Sequence, residues 1–241
     1  MPRRPRPRSK EHLYHLTSRG VARRAVFRTA ADGRVFLSTL GEVVTDRGWH
    51  CHGYCLMPNH YHLLVETPGA DLPEGMRDLN STYATRFNTA HDLSGHVFQG
   101  RYDSRVVRSQ EHALEVVRYI PLNPVRAGLC SRPADWAWSN YLATAGERRA
   151  QPWLTIDTTL RWFGSDEKAR RHYREFVAAG RHVTDPEAAA LRQLLRQGGV
   201  DDVLRVRDEY GYSMRRIARL LGIHHSTLAQ RMQTRHPPKG V

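Results

Sequence analysis

The 241-residue sequence predicts an α+β fold: an antiparallel sheet with helices on one face, followed by a small all-α helix-turn-helix domain. Three observations lead there. Alternating apolar runs at 12–18, 52–57 and 60–66 have the two-residue period of strands. Apolar residues recur at three- and four-residue steps within 30–47, 72–90 and 112–122, as on one side of a helix. From Asp185 the composition shifts to Ala, Leu, Arg and Gln with helical periodicity.

Residues 1–10 alternate proline with arginine, cannot collapse into a core, and are expected to form a basic disordered arm able to follow a phosphate backbone. The first strand at 12–18 is ended by Arg19-Gly20. A helix follows over 30–47, carrying Val35, Phe36, Leu37, Leu40, Val43 and Val44, and Arg47-Gly48 stops it. Residues 51–67 read as a hairpin. Its turn falls at Pro58-Asn59, because Pro58 has no backbone donor for a ladder and Asn tolerates turn geometry. The next helix, 72–90, places Met76, Leu79, Tyr83 and Phe87 on one apolar face. A strand around 102–107 and a helix at 112–122 complete the order β-α-β-β-α-β-α, which is the ferredoxin-like plan.

Residues 131–180 contain Trp136, Trp138, Trp153 and Trp162 and read as an extension packed on the first domain, with the indoles in its core. Residues 213–232 have helix-turn-helix spacing: Ser213 as N-cap, Ile217, Ala218 and Leu221 inward, and Gly222 at the turn. A second helix from about His225 would then offer His225, Ser226, Thr227, Gln230 and Arg231 to a major groove. The expected division is an arm at 1–10, a catalytic domain at 11–145, a helical extension at 146–184, a DNA-binding domain at 185–236 and a tail at 237–241.

The formal net charge is +13 with pI near 10.3, and of 37 basic residues only Lys10, Lys168 and Lys239 are lysines. Arginine forks suit phosphate, so nucleic acid is the expected partner. No run of about 18 apolar residues and no apolar signal core is present, which places the expected location in the cytoplasm, on the nucleoid. Cys51, Cys55 and Cys130 have neither paired zinc spacing nor a disulfide framework and read as reduced thiols.

Strand alternation points His60 and His62 to the same side with β-carbons roughly 6–7 Å apart, close enough to share a divalent ion. Alone, a His-x-His strand is common. Tyr119 and Asn123, four residues apart, add a nucleophile and an amide oxygen on one helix face. Two nitrogens and an oxygen leave room for phosphate oxygens, and the chemistry would be attack of the tyrosine oxygen at phosphorus. Its ordinary pKa of about 10 calls for nearby positive charge. The product would be a phosphotyrosine ester and a free hydroxyl, a step that can run backwards to rejoin DNA. Arg101, Arg105 and Arg126 are candidate phosphate contacts, with Arg118 a further one, and Glu66 shares the histidines' face. Tyr61 points away from that face and reads as packing, Tyr83 as a core helix residue and Tyr102 as a strand residue.

The stretches at 14–20 (YHLTSRG), 57–64 (MPNHYHLL), 95–102 (GHVFQGRY) and 118–128 (RYIPLNPVRAG) together resemble the REP-associated tyrosine transposases, within the single-tyrosine HUH transposase superfamily. The resemblance covers about residues 10–145. It implies action on single-stranded or hairpin DNA with Mg²⁺ or Mn²⁺, Tyr119 as nucleophile, His60 and His62 as the metal pair and Asn123 as third ligand. Members recognise repeated extragenic palindromes folded as hairpins and cleave beside them. Two features depart from the family: Pro121 stands where many relatives have His, and the helix-turn-helix is an addition, with duplex DNA as the partner it would take. The expected assembly is a monomer or homodimer. A domesticated, non-catalytic DNA-binding regulator is the alternative, and a hydrolytic nuclease a third reading that would not need the tyrosine.

Overall fold

The structure is a computed structural model and describes residues 12–69, 71–164, 168–180, 218 and 226–228. The chain divides into two compact units, 1–182 and 183–241. In the first, the elements run β1 (His12–Arg19), α1 (Ala30–Asp46), β2 (His50–Met57), β3 (His60–Thr67), α2 (Leu72–His91), β4 (Asp103–Val107) and α3 (Gln110–Arg126). Three short helices follow, α4 (Tyr141–Thr144), α5 (Ile156–Arg161) and α6 (Ala169–Ala179). The strands form one sheet in the order β2-β3-β1-β4 with every pairing antiparallel. That is the ferredoxin-like order anticipated from the sequence.

One sheet face is dry because β1 and β3 turn alternate apolar residues towards α1 and α2. Phe36 of α1 lies 4.6 Å from the Tyr61 ring of β3 and also meets Tyr83 of α2 edge-on. Met76, Leu79, Tyr83 and Phe87 are all buried, the stripe that the helical spacing foretold. Tyr61 is packing, as its strand parity implied, and its hydroxyl donates to Asn80 Oδ1 at 2.6 Å. Each fully buried side chain of this size contributes about 1.5–3 kcal/mol. α1 starts at a capping box in which Thr29 accepts from the Asp32 amide and Asp32 accepts from the Thr29 amide.

Close approach in this layer depends on Gly75, where a β-carbon would lie 2.3 Å from the Trp49 ring. Gly75→Ala therefore gains helix propensity yet overpacks the indole. A net loss of about 1–3 kcal/mol is expected in urea unfolding.

The third long helix lies on the other face: α3 contacts β2 and β3, and Tyr119 meets the ring of His62, which points away from Tyr61. The helix expected over 112–122 instead continues to Arg126 through Pro121 and Pro124. Proline at position 124 denies the Ile120 carbonyl its helical donor. Asn123 Nδ2 compensates, lying 3.0 Å from the Tyr119 carbonyl and 3.4 Å from that of Ile120.

The extension closes the β2 edge of the sheet. Leu56 N–H donates to the Trp138 carbonyl at 2.8 Å, Asn140 N–H to Tyr54 at 3.1 Å and Thr155 N–H to Cys51 at 2.8 Å, while the Trp136 indole donates to Leu56 at 3.0 Å. Trp138 and Trp153 fit over Gly33 and Gly41 of α1, where added β-carbons would sit 2.5 Å from each ring. The tryptophans are thus packing, as expected. Cys51 and Cys55 are buried and Cys130 half-buried, all free.

In the second unit, Ala218 and 226–228 are helical. Ala218 and Leu228 are buried, Ser226 is exposed and Thr227 half-buried. The other helix-turn-helix positions, including His225, Gln230 and Arg231, lie outside the described residues, as do the basic arm and the tail.

Candidate active site

Residues directly opposite one another in an antiparallel pair share a face. The register sets His60 against Arg19, His62 against Thr17, and His15 against both Leu64 and Arg105. His15, Thr17, Arg19, His60, His62 and Arg105 consequently lie together on the face that α3 covers. The rings of His60 and His62 are 5.0 Å apart, edge to face.

Both imidazoles are held through Nδ1. His60 Nδ1 is 2.7 Å from Asn59 Oδ1, the turn residue just before it. His62 Nδ1 is 3.0 Å from His15 Nε2 and 3.2 Å from Thr17 Oγ1. The tautomer with its proton on Nδ1 satisfies these contacts and leaves each Nε2 with a lone pair, the arrangement of a metal-ligating histidine oriented by an outer partner. His62 Nε2 is buried with no hydrogen-bond partner. Such an orphan is costly unless something occupies it. Burial, then the Arg19 charge, brings His60 down to about 4. Burial chiefly, then His15, His60, Arg19 and Arg105, drives His62 well below the ordinary value. His15 falls to about 3 through burial, Arg105 and His112. All three are therefore neutral at pH 7, as ligands must be. No three His, Cys, Asp or Glu side chains among the described residues form a group that could hold a metal ion.

α3 brings Tyr119 to this face. Its ring lies 5.4 Å from His62 and 5.8 Å from His15, edge-on to both, and the Arg126 guanidinium stands 5.1 Å over it. Asn123 is one turn further along and buried, with its amide nitrogen engaged to the helix carbonyls.

The family described as "Transposase IS200 like" matches residues 8–123, the stretch that builds this face. Residues 8–123 resemble that family. A curated relative, the REP-associated tyrosine transposase of Escherichia coli (strain K12), is 27% identical over 103 residues, 42% of this chain. The chain spans 59% of that relative's length. A solved structure, "Structure of the REP associates tyrosine transposase bound to a REP hairpin", shares the fold with a TM-score of 0.53 at 21% identity, over 64% of this chain and 90% of that one.

The other expected positions fall as follows. Arg105 sits beside the histidines, its Nε 3.3 Å from Asp103 Oδ2, and Arg101 is exposed just before β4. Arg126 donates to the Gly180 carbonyl at 3.1 Å in addition to covering Tyr119. Arg118 pairs with Glu115 and lies 4.5 Å over Phe176, a packed rather than a presented cation. Glu66 accepts from His52 Nε2 at 3.1 Å, four residues along the strand from His62 and about 13 Å away at strand rise. Tyr83 donates to the Val26 carbonyl within the core. Tyr102 precedes β4 rather than lying in it. His15, Thr17 and Arg19 join this face in addition to the residues expected from the sequence. The signal was present: they alternate in the 14–20 motif just as His60 and His62 do.

No helix among the described residues is long and apolar enough to cross a membrane.

Proposed function

We propose that this IS200-like transposase cleaves and rejoins DNA at single-stranded or hairpin, REP-like palindromic sites, through a covalent ester on Tyr119. The observation that carries this reading is the meeting of Tyr119 with the His60–His62 pair on one sheet face, with Arg126 against the tyrosine ring. The REP hairpin bound by the solved structural relative supports the substrate class. Tyr119 Oη attacks the phosphorus as its proton is lost. The bond to the leaving strand's oxygen breaks, that oxygen takes up a proton as a free hydroxyl, and the tyrosine ester keeps the bond energy needed for the reverse step.

His60 and His62 would hold Mg²⁺ or Mn²⁺ through Nε2, with Asn123 as third ligand. When bound, the ion draws charge from a phosphate oxygen. Arg105 and Arg126 neutralise charge that develops on the phosphate, and Arg101 extends that surface. His15 and Thr17 position His62. The C-terminal motif adds a duplex contact through His225, Ser226, Thr227, Gln230 and Arg231, and the protein works as a monomer or homodimer on the nucleoid in the cytoplasm.

The test is incubation of the full chain with a labelled single-stranded hairpin and Mn²⁺. A denaturant-resistant protein–DNA adduct with release of one free strand is expected; DNA bound with no adduct at any metal concentration would instead favour the regulator. Asn123 has its own test. Asn123→Asp keeps an oxygen but loses the donor to two helix carbonyls, so stability should fall by about 1–3 kcal/mol while Mn²⁺-dependent adduct formation survives. Asn123→Ala should lose both. An Ala variant with undiminished metal response would restrict Asn123 to holding the helix.

A further inference from the structure

The extension contains a cleft of about 560 Å³ that includes Arg148, Arg149, Arg170, Arg171 and Arg174 in its lining. The remaining lining is Ala, Gly and Ile, so its described residues include no carboxylate and no aromatic ring. Five guanidinium groups around one opening repel each other, and an anion in the opening removes that cost. We propose that this cleft is a second DNA site, which grips the phosphodiester backbone of duplex flanking the cleaved strand. The choice of DNA as occupant rests on the transposase reading above.

The arginines divide into two kinds. Arg170 donates to the Ala143 and Thr144 carbonyls at 3.2 Å, and Arg174 to the Ala145 carbonyl at 2.8 Å. These bonds fix the guanidinium groups at the C-terminal end of α4, so little ordering remains to be done on binding. Arg148, Arg149 and Arg171 are exposed. Arg148 is tethered to the Ala137 carbonyl at 3.0 Å, and Arg171 has only a long, exposed ion pair with Glu175 at 3.8 Å. An exposed pair of that kind contributes little, so Arg171 can turn to a phosphate. With no ring to stack on a base, the cleft would read charge and not sequence.

Its position also suits a flank. Tyr173 and Val177 form the buried stripe of α6. Arg170 and Arg174 project on one flank of that stripe, and on the other Phe176 and Gly180 receive Arg118 and Arg126 from the catalytic helix. A single short helix therefore joins the cleft to the helix that carries Tyr119.

The test is the salt dependence of binding to a labelled duplex by the full chain, against Arg148→Gln/Arg149→Gln/Arg171→Gln. This triple variant keeps the two arginines that hold α4. Each lost phosphate contact lowers the slope of log K against log salt by about 0.9, so a reduction of about 2–3 is expected, with at least about tenfold weaker binding at low salt. Arg171→Gln alone should lose about one such contact, which covers misfolding of the triple variant. An unchanged slope in both overturns the proposal. So does thermal stabilisation by inorganic phosphate that the variant loses while its DNA slope stays as in the parent, since the cleft would then serve a free phosphate. Adduct formation on a short hairpin without flank should be equal in parent and variant. Its absence from both would count against the Tyr119 reading, while the slope would still score the cleft.

Discussion

Tyr119→Phe should abolish the covalent adduct, with a loss of at least about 10³-fold, since no part of a nucleophile's contribution survives its removal. The phenyl ring retains the edge contacts to His15 and His62 and the Arg126 face, so the ring's packing is kept. Denaturing gels with end-labelled hairpin DNA measure the adduct directly. The other tyrosines near the sheet are poor substitutes: burial drives the hydroxyls of Tyr61 and Tyr83 well above the ordinary value, and both already donate to fixed partners. An undiminished adduct would reject Tyr119. Cleavage without any adduct, surviving in Tyr119→Phe, would identify a hydrolytic nuclease.

His62→Ala should eliminate the response to Mn²⁺. The readout separate from activity is thermal: metal at a hundred times its dissociation constant stabilises a binding protein by about 2.7 kcal/mol, and the variant should show none of it. His62→Ala also strips His15 Nε2 of its partner, so an intrinsic cost of about 1–3 kcal/mol is expected. His60→Ala separates the two effects. His60 is half-buried and bonded to its neighbour Asn59, so this change should remove the metal response at a smaller cost in stability. Metal stabilisation persisting in both variants would rule out the pair as ligands.

The hairpin was legible because two local rules agreed. Proline cannot serve a ladder, and strands alternate, so the turn at Pro58-Asn59 and the common face of His60 and His62 both followed from residues 51–67. The extent of α3 was not legible. A proline at 121 removes a helical hydrogen bond, and only the structure carries the helix on to Arg126 with Asn123 against the Tyr119 and Ile120 carbonyls, the latter left unserved by Pro124. The face that α3 covers was not legible either, because helix periodicity says which side is apolar but not which layer it meets. His15 shows the remaining gap: its alternation was visible, but its bond to His62 depends on the β1–β3 register, a pairing between stretches 47 residues apart.

The seam along β2 bears on where this protein can be divided. The stretch that the family model matches ends at residue 123, yet Tyr54 and Leu56 spend backbone hydrogen bonds on 136–140, and Cys51 on Thr155. A fragment cut at the family boundary would bare an unpaired strand edge beside the empty seats of Trp138 and Trp153, the kind of surface on which chains stick to one another. The packed unit is therefore longer than the stretch the family model matches, and the extension is as much a part of the scaffold as the sheet it borders.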